Sequence, residues 1–192
     1  MSLAKSMAVR HHAIMPVLAT ATSHLLLIDF QARLMPAIRD AVEVTGNAGK
    51  LLSAARKLKV PRSYTEQNPD KLGRTVPELA PQAGEAVLPK MTFDACRSAG
   101  VIDGQAGAVD FIVLGCEAHV CVLQTVLGLM QAGHRVHVVA DAIGSRAQIN
   151  RDVALSRMAR HGAQIVTTEM VIFEWLGTAT HPDLRDIISL VK

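Results

Sequence analysis

A chain of 192 residues with 49% hydrophobic and 19% charged side chains is no disordered protein, and it can bury a core without disulfide or metal staples. Its net charge of +3 is spread out with no Lys/Arg block, and aromatics are 3%, so neither a nucleic-acid platform nor a membrane-surface patch is expected. Near the N-terminus, Lys5 and Arg10 followed by the apolar stretch Ala13 to Leu18 and by Ala19-Thr20-Ala21 imitate a signal peptide, but the stretch is short and Pro16 breaks it. Residues 1–21 read as a tail, with Met1-Ser2-Leu3 as an added leader and His11 and His12 as tail residues, and a single domain spans 22–192. No run approaches the roughly 18 apolar residues of a membrane span. The cysteines, Cys96, Cys116 and Cys121, are odd in number and lack zinc-knuckle spacing, which points to a reducing, cytoplasmic setting.

The apolar run His24 to Ile28 has the unbroken character of a strand covered on both faces. A helix is expected over Asp40 to Leu58, where Leu51, Leu52, Ala55 and Leu58 share one side. Val60 to Tyr64 is a weaker strand. Thr65 to Pro81 reads as loop, punctuated by Asn68-Pro69, Gly73 and Pro77. Ala86 to Leu88 is a short strand and Asp110 to Leu114 the clearest one. A helix from His119 to Ala132 closes at Gly133. Then come a strand at Arg135 to Ala140, a helix at Asn150 to Arg160, a strand at Gln164 to Thr167, and helices at Val171 to Leu176 and Asp183 to Val191. Strands alternating with helices imply an α/β fold: a doubly wound, mainly parallel six-stranded sheet with helices on both faces.

Ligands of such sheets sit beyond the carboxyl ends of the strands. Three chemically active residues fall there. Asp29 ends the first strand, Lys90 the third, and Cys121 opens the helix after the fourth. Each has an ordinary reading, as a helix cap, a solvated rim charge and a small core residue. Together they make coherent chemistry. The helix dipole and the Lys90 ammonium would favour a Cys121 thiolate, Asp29 could take and return a proton, and backbone N–H groups before Cys121 could hold an oxyanion.

These residues carry a resemblance. Ile28-Asp29-Phe30-Gln31, Lys90 with Phe93, the stretch Gly115-Cys116-Glu117-Ala118-His119-Val120-Cys121-Val122-Leu123-Gln124-Thr125, and Gly133 through Ala142 are similar to the isochorismatase-like cysteine hydrolases, over residues 22 to 180. The resemblance implies an Asp–Lys–Cys triad: Asp29 as general acid/base, Lys90 supporting the thiolate, and Cys121 as the nucleophile of an acyl-enzyme. It also implies a cis peptide between Cys116 and Glu117, so that the Glu117 and Cys121 N–H groups serve one oxyanion. Gln31, Glu66, Phe93 and His119 are candidates for lining the substrate pocket. At its spacing from Cys121, His119 need not face the thiol, so a helix-start or substrate-facing role is preferred to that of catalytic base.

Departures narrow the choice. Nicotinamidases of this family hold a metal with an Asp and histidines after the second strand, whereas here Ser63-Tyr64-Thr65-Glu66-Gln67-Asn68-Pro69 has no histidine, so neither metal nor cofactor is expected. True isochorismatases lack the cysteine. The segments Thr65 to Gly73 and Val76 to Leu79 resemble the isochorismatase domain-containing branch. The expected activity is hydrolysis of a small amide or related acyl compound by a homo-oligomer. Vinyl-ether hydrolysis driven by Asp29 and a catalytically silent interaction protein remain as alternatives.

Overall fold

The computed structural model describes residues 17–98, 100 and 109–191; the expectations for the tail before residue 17 and for His11 and His12 lie outside them. β1 (Ser23–Ile28) is buried along its whole length, as a both-faces-covered apolar run requires. The chain continues through α1 (Ala41–Lys57), β2 (Arg62–Gln67), a single turn α2 (Pro69–Leu72), β3 (Ala86–Lys90), β4 (Asp110–Cys116), α3 (Leu123–Gln131), β5 (Arg135–Gly144), α4 (Gln148–Arg160), β6 (Gln164–Val166), α5 (Thr168–Leu176) and α6 (Leu184–Val191). The six strands are all parallel, in the order β3-β2-β1-β4-β5-β6. The chain thus starts at the centre, winds outward to β3, returns to lay β4 beside β1, and winds outward the other way.

Alternate residues of β1 feed two cores, as the two-residue period of a strand dictates. Leu25 and Leu27 pack with Leu51, Trp175 and Ile187 of α1, α5 and α6, while Leu26 and Ile28 pack with Val126, Leu129 and Met158 of α3 and α4. Helices therefore cover both faces.

Several boundaries differ from the sequence reading. β2 starts at Arg62 and runs on to Gln67, so Glu66 and Gln67 are strand rather than loop; pairing with β1 on one side and β3 on the other, as in Thr65 with Ile28 and Gln67 with Lys90, holds these polar residues in the sheet. β3 runs two residues further, to Lys90 itself. β5 continues to Gly144, past a register shift between Val113 and Gly115 that brings Ile143 and Gly144 back beside β4. α5 begins three residues early, where the Thr167 side chain accepts from the Met170 N–H and the Asp141 carboxylate from the Thr168 N–H. The helix expected from His119 opens instead with a wide π turn at Ala118–Val122. Cys96 lies in one 3-10 turn, Ala95–Arg97.

Gly115 lets the two central strands meet. Its φ is +131°, and a Cβ built there would lie 2.0 Å from the Ile28 carbonyl oxygen. Gly115→Ala should therefore lower stability by about 3 kcal/mol or more, read from urea unfolding. Gly46→Ala, on the exposed side of α1 with nothing near its Cβ position, should raise it by about 0.5–1 kcal/mol.

Candidate active site

β1 and β4 lie side by side while the chain winds from them to opposite edges of the sheet, and ligands of such sheets bind beyond the carboxyl ends of the strands at this switch point. Asp29 is the first residue beyond β1. Its φ is +54°, a region short polar side chains tolerate better than most, and its N–H donates to the Thr65 carbonyl at 3.1 Å. From β3, Lys90 reaches across the end of β2. Its Nζ donates to Asp29 Oδ2 at 2.7 Å and to Gln67 Oε1 at 2.8 Å, and the two charged side chains are 1% and 0% exposed. The other carboxylate oxygen, Oδ1, accepts from the Thr65 hydroxyl at 2.6 Å.

β4 delivers the third member. The Cys116–Glu117 peptide is cis, and the π turn that follows is tied by the Val120 and Val122 N–H groups donating to the Glu117 carbonyl at 3.0 and 3.3 Å. This turn sets Cys121 at 6% exposure, near enough to Asp29 and Lys90 for both charges to act on its thiol. Asp29, Lys90 and Cys121, separated by up to 92 positions in the chain, are thus one connected cluster.

The protonation state differs from the sequence reading, which favoured a thiolate. Burial pushes the Cys121 thiol up to about 12, the Asp29 carboxylate adds to the rise, and Lys90 opposes it without cancelling it. At neutral pH the cluster therefore holds a thiol beside a carboxylate acceptor.

The remaining candidates divide. Gln31, fully buried, spends its amide on backbone: Nε2 donates to the carbonyls of Gln67 at 3.0 Å and Gly73 at 2.6 Å, and Oε1 accepts from the Gln67 N–H at 2.8 Å. These bonds brace the wall beside the ion pair. Glu66 projects to the opposite side of β2 from Thr65 and Gln67. It receives the Thr75 N–H at 2.8 Å and hydroxyl at 2.9 Å and pairs with Arg74 at 3.0 Å, holding a loop. His119 faces Ser145 at 3.1 Å and Asn150 at 3.4 Å. Phe93 is 52% exposed, three residues beyond Lys90, and Met91 beside it is 71% exposed. The Glu117 side chain is locked by Arg146, whose Nε lies 3.0 Å and whose N–H lies 3.0 Å from Oε2. Its carboxyl stays below the usual range because these bonds outweigh the burial that pushes it up. Cys116 is fully buried, and that burial drives its thiol far up.

Thr65, to which the sequence gives no role, and Gln67 are alternate residues of β2 that each bond one member of the Asp29–Lys90 pair. Their signal was their two-residue spacing, masked by the loop-like look of Glu66 to Pro69.

Among the described residues no group of three or more His, Cys, Asp or Glu side chains is placed to hold a metal. An apolar cavity of about 550 Å³ lies elsewhere, between Met35, Val42, Gly46 and Pro77, and touches none of the three residues. The chemistry marks the site better than cavity size does, because that cavity is lined by no thiol and no ammonium.

Comparisons with known proteins agree with this fold. The isochorismatase domain matches residues 23–170. The chain is 37% identical to mouse isochorismatase domain-containing protein 2A over 172 residues, covering 89% of this chain and 83% of that one. Among solved structures it is similar to the MAR1 ribonuclease of Caenorhabditis elegans, with 31% identity, a TM-score of 0.81 and coverage of 91% and 92% of the two chains. It is also similar to the YcaC product of Escherichia coli, described as an octameric hydrolase of unknown specificity, with 27% identity, a TM-score of 0.79 and coverage of 91% and 87%.

A thiol held near 12 should contribute no thiolate absorbance in the ultraviolet from neutral pH to about pH 10, where an unfolded cysteine, with its pKa of about 8.5, is already largely ionised. The difference in absorbance between wild type and Cys121→Ala, titrated with base, reads this directly. A thiolate signal from Cys121 at neutral pH would contradict it.

Proposed function

The chain belongs to the isochorismatase-domain family, and on that premise we propose that it is a cysteine-dependent hydrolase of a small amide or related acyl compound. One observation carries the reading: a buried thiol lies within electrostatic reach of a carboxylate and an ammonium that are already paired with each other. Asp29 is the general acid/base, Lys90 the cation that steadies the developing charge, and Cys121 the nucleophile.

The steps follow from where the protons lie. As Cys121 Sγ attacks the substrate carbonyl, its proton passes to Asp29, so the thiolate forms only as it reacts. The carbonyl π electrons move to oxygen, and that oxyanion is received by the Glu117 and Cys121 N–H groups on the turn after β4. Collapse breaks the C–N bond, and Asp29 returns the proton to the departing nitrogen. Water then adds to the thioester with Asp29 again as base. The carboxylic acid leaves and the thiol is restored, so the net reaction consumes one amide and one water. Lys90 keeps its proton throughout and offsets the charge that builds on sulfur. A raised resting thiol suits this scheme, since the carboxylate that raises it is the base that removes its proton.

Phe93 and Met91, exposed beside Lys90, supply apolar surface for the acyl or amine portion, and His119 with Ser145 supplies polar contact. No helix among the described residues is long and apolar enough to cross a membrane. The working unit is a homo-oligomer on this reading. The Escherichia coli neighbour is octameric, and the exposed pairs Ile149 and Val153 on α4 and Met170 and Phe173 on α5 offer apolar surface for subunit contact.

The test is a panel of small aliphatic and aromatic amides, with isochorismate and a short RNA as the competing substrates. The expected result is turnover of an amide, an acyl adduct on Cys121 seen by mass spectrometry, and a loss of about 10³-fold or more in Cys121→Ala. Amide turnover that survives in Cys121→Ala contradicts the nucleophile. Turnover confined to isochorismate selects the Asp29-driven vinyl-ether reaction, and turnover confined to RNA overturns the acyl reading altogether.

A further inference from the structure

β2 ends in the sequence Thr65-Glu66-Gln67, and the two-residue period of a strand sends Thr65 and Gln67 to one side. That side faces the ion pair. Thr65 is 1% exposed, and its hydroxyl donates to Asp29 Oδ1 at 2.6 Å rather than to a backbone carbonyl. Its own carbonyl accepts the Asp29 N–H. One residue thus grips Asp29 at both backbone and side chain, and does so where Asp29 adopts φ +54°. The other carboxylate oxygen is committed to Lys90. Two donors from two different strands therefore fix the plane of the carboxylate. An ionised carboxylate has about four lone-pair sites, so room remains for the Cys121 thiol as a third donor.

We propose that Thr65 is a positioning residue of the reaction: its hydroxyl keeps Asp29 in the ionised form and turned so that the carboxylate can receive the Cys121 proton. This rests on the role proposed above for Asp29 and adds a residue to it. A hydroxyl bonded only to satisfy itself would be indifferent to the charge of its partner. A donor to a carboxylate is not, because it favours the charged form over the neutral one. The charged and titratable groups around Asp29 are Lys90 from β3, Cys121 from the π turn and Cys116 at the end of β4; Thr65 is the uncharged member, so its removal changes the hydrogen bonding without changing the charge.

The test uses p-nitrophenyl acetate as the acyl donor and the full chain. Acetylation of Cys121 is read as first-turnover release of p-nitrophenolate and as a mass gain on the peptide that carries Cys121, across a pH series. Its rate in wild type falls at acid pH as the base is protonated. In Thr65→Val, close to isosteric but without the hydroxyl, the midpoint of that fall should move up by about one pH unit. In Thr65→Ser, which restores the hydroxyl, it should return to within about 0.3 of wild type. Circular dichroism checks the fold of each variant, and Thr65→Ala replaces Thr65→Val if the latter unfolds. Cys121-dependent acetylation with an unmoved midpoint in the hydroxyl-less variant overturns this inference alone, including where the rate merely drops at every pH. Absence of Cys121-dependent acetylation in wild type overturns the nucleophile and this inference together.

Discussion

The Asp29–Lys90 ion pair is the constraint around which the rest of the molecule is arranged. Its charged atoms are 2.7 Å apart and almost wholly out of water. Taking each ion from solvent costs several kcal/mol, and their attraction at the effective dielectric of a protein interior returns on the order of 5 kcal/mol. The pair is therefore near break-even unless further hydrogen bonds satisfy both ends. Thr65 supplies one to the carboxylate and Gln67 one to the ammonium. Gln67 is in turn fixed by Gln31 on its backbone and by the Met91 carbonyl on its side chain. A parallel sheet whose winding reverses between β1 and β4 can bring these groups together because β2 and β3 end level with one another two residues past the end of β1, and the turn after β4 approaches from the other side. Gly115 permits that approach.

Cys121 takes its character from the pair more than from its helix. The sequence reading relied on a helix dipole and a lysine to ionise the sulfur. In the structure the helix opens with a π turn and the thiol is buried, so desolvation dominates and Asp29 adds to it. The proton stays on sulfur until a substrate arrives. This arrangement also protects the thiol, because oxidation and metal capture both need thiolate character. Cys116 and Cys96 are held protonated too, by burial in both cases.

Where the sequence could be read, burial on both faces was the reason. β1 and β4 are apolar runs with no alternation, and the residue that follows or ends such a run lies at the carboxyl edge, which placed Asp29 and the turn leading to Cys121. Lys90 was found by the same rule even though β3 is a partly exposed edge strand. What escaped was polar and cooperative. Thr65, Glu66 and Gln67 look like loop because their side chains hydrogen-bond to distant partners: Asp29, Thr75 and Lys90. Gln31 and Glu66, candidates for lining the pocket, are tied by the fold to a neighbouring loop. Their bonds to the Gly73 and Thr75 loop were not visible in the linear order. β5 outruns its apolar stretch: the Asp141 carboxylate caps α5 and its carbonyl accepts from Asn47, and pairing with β4 resumes only at Ile143.

The central claim is that Asp29 and Lys90 are a mutually dependent buried pair, and a double-mutant cycle measures that dependence directly. Urea unfolding of wild type, Asp29→Asn, Lys90→Met and the double variant gives the coupling free energy. Each single variant leaves a buried group without its counterion, so each should cost about 3–5 kcal/mol, with the double variant costing much less than the sum and a coupling of about 2 kcal/mol or more. Costs that add to within about 0.5 kcal/mol would mean that the two charges do not depend on one another, and the account built on them would be wrong.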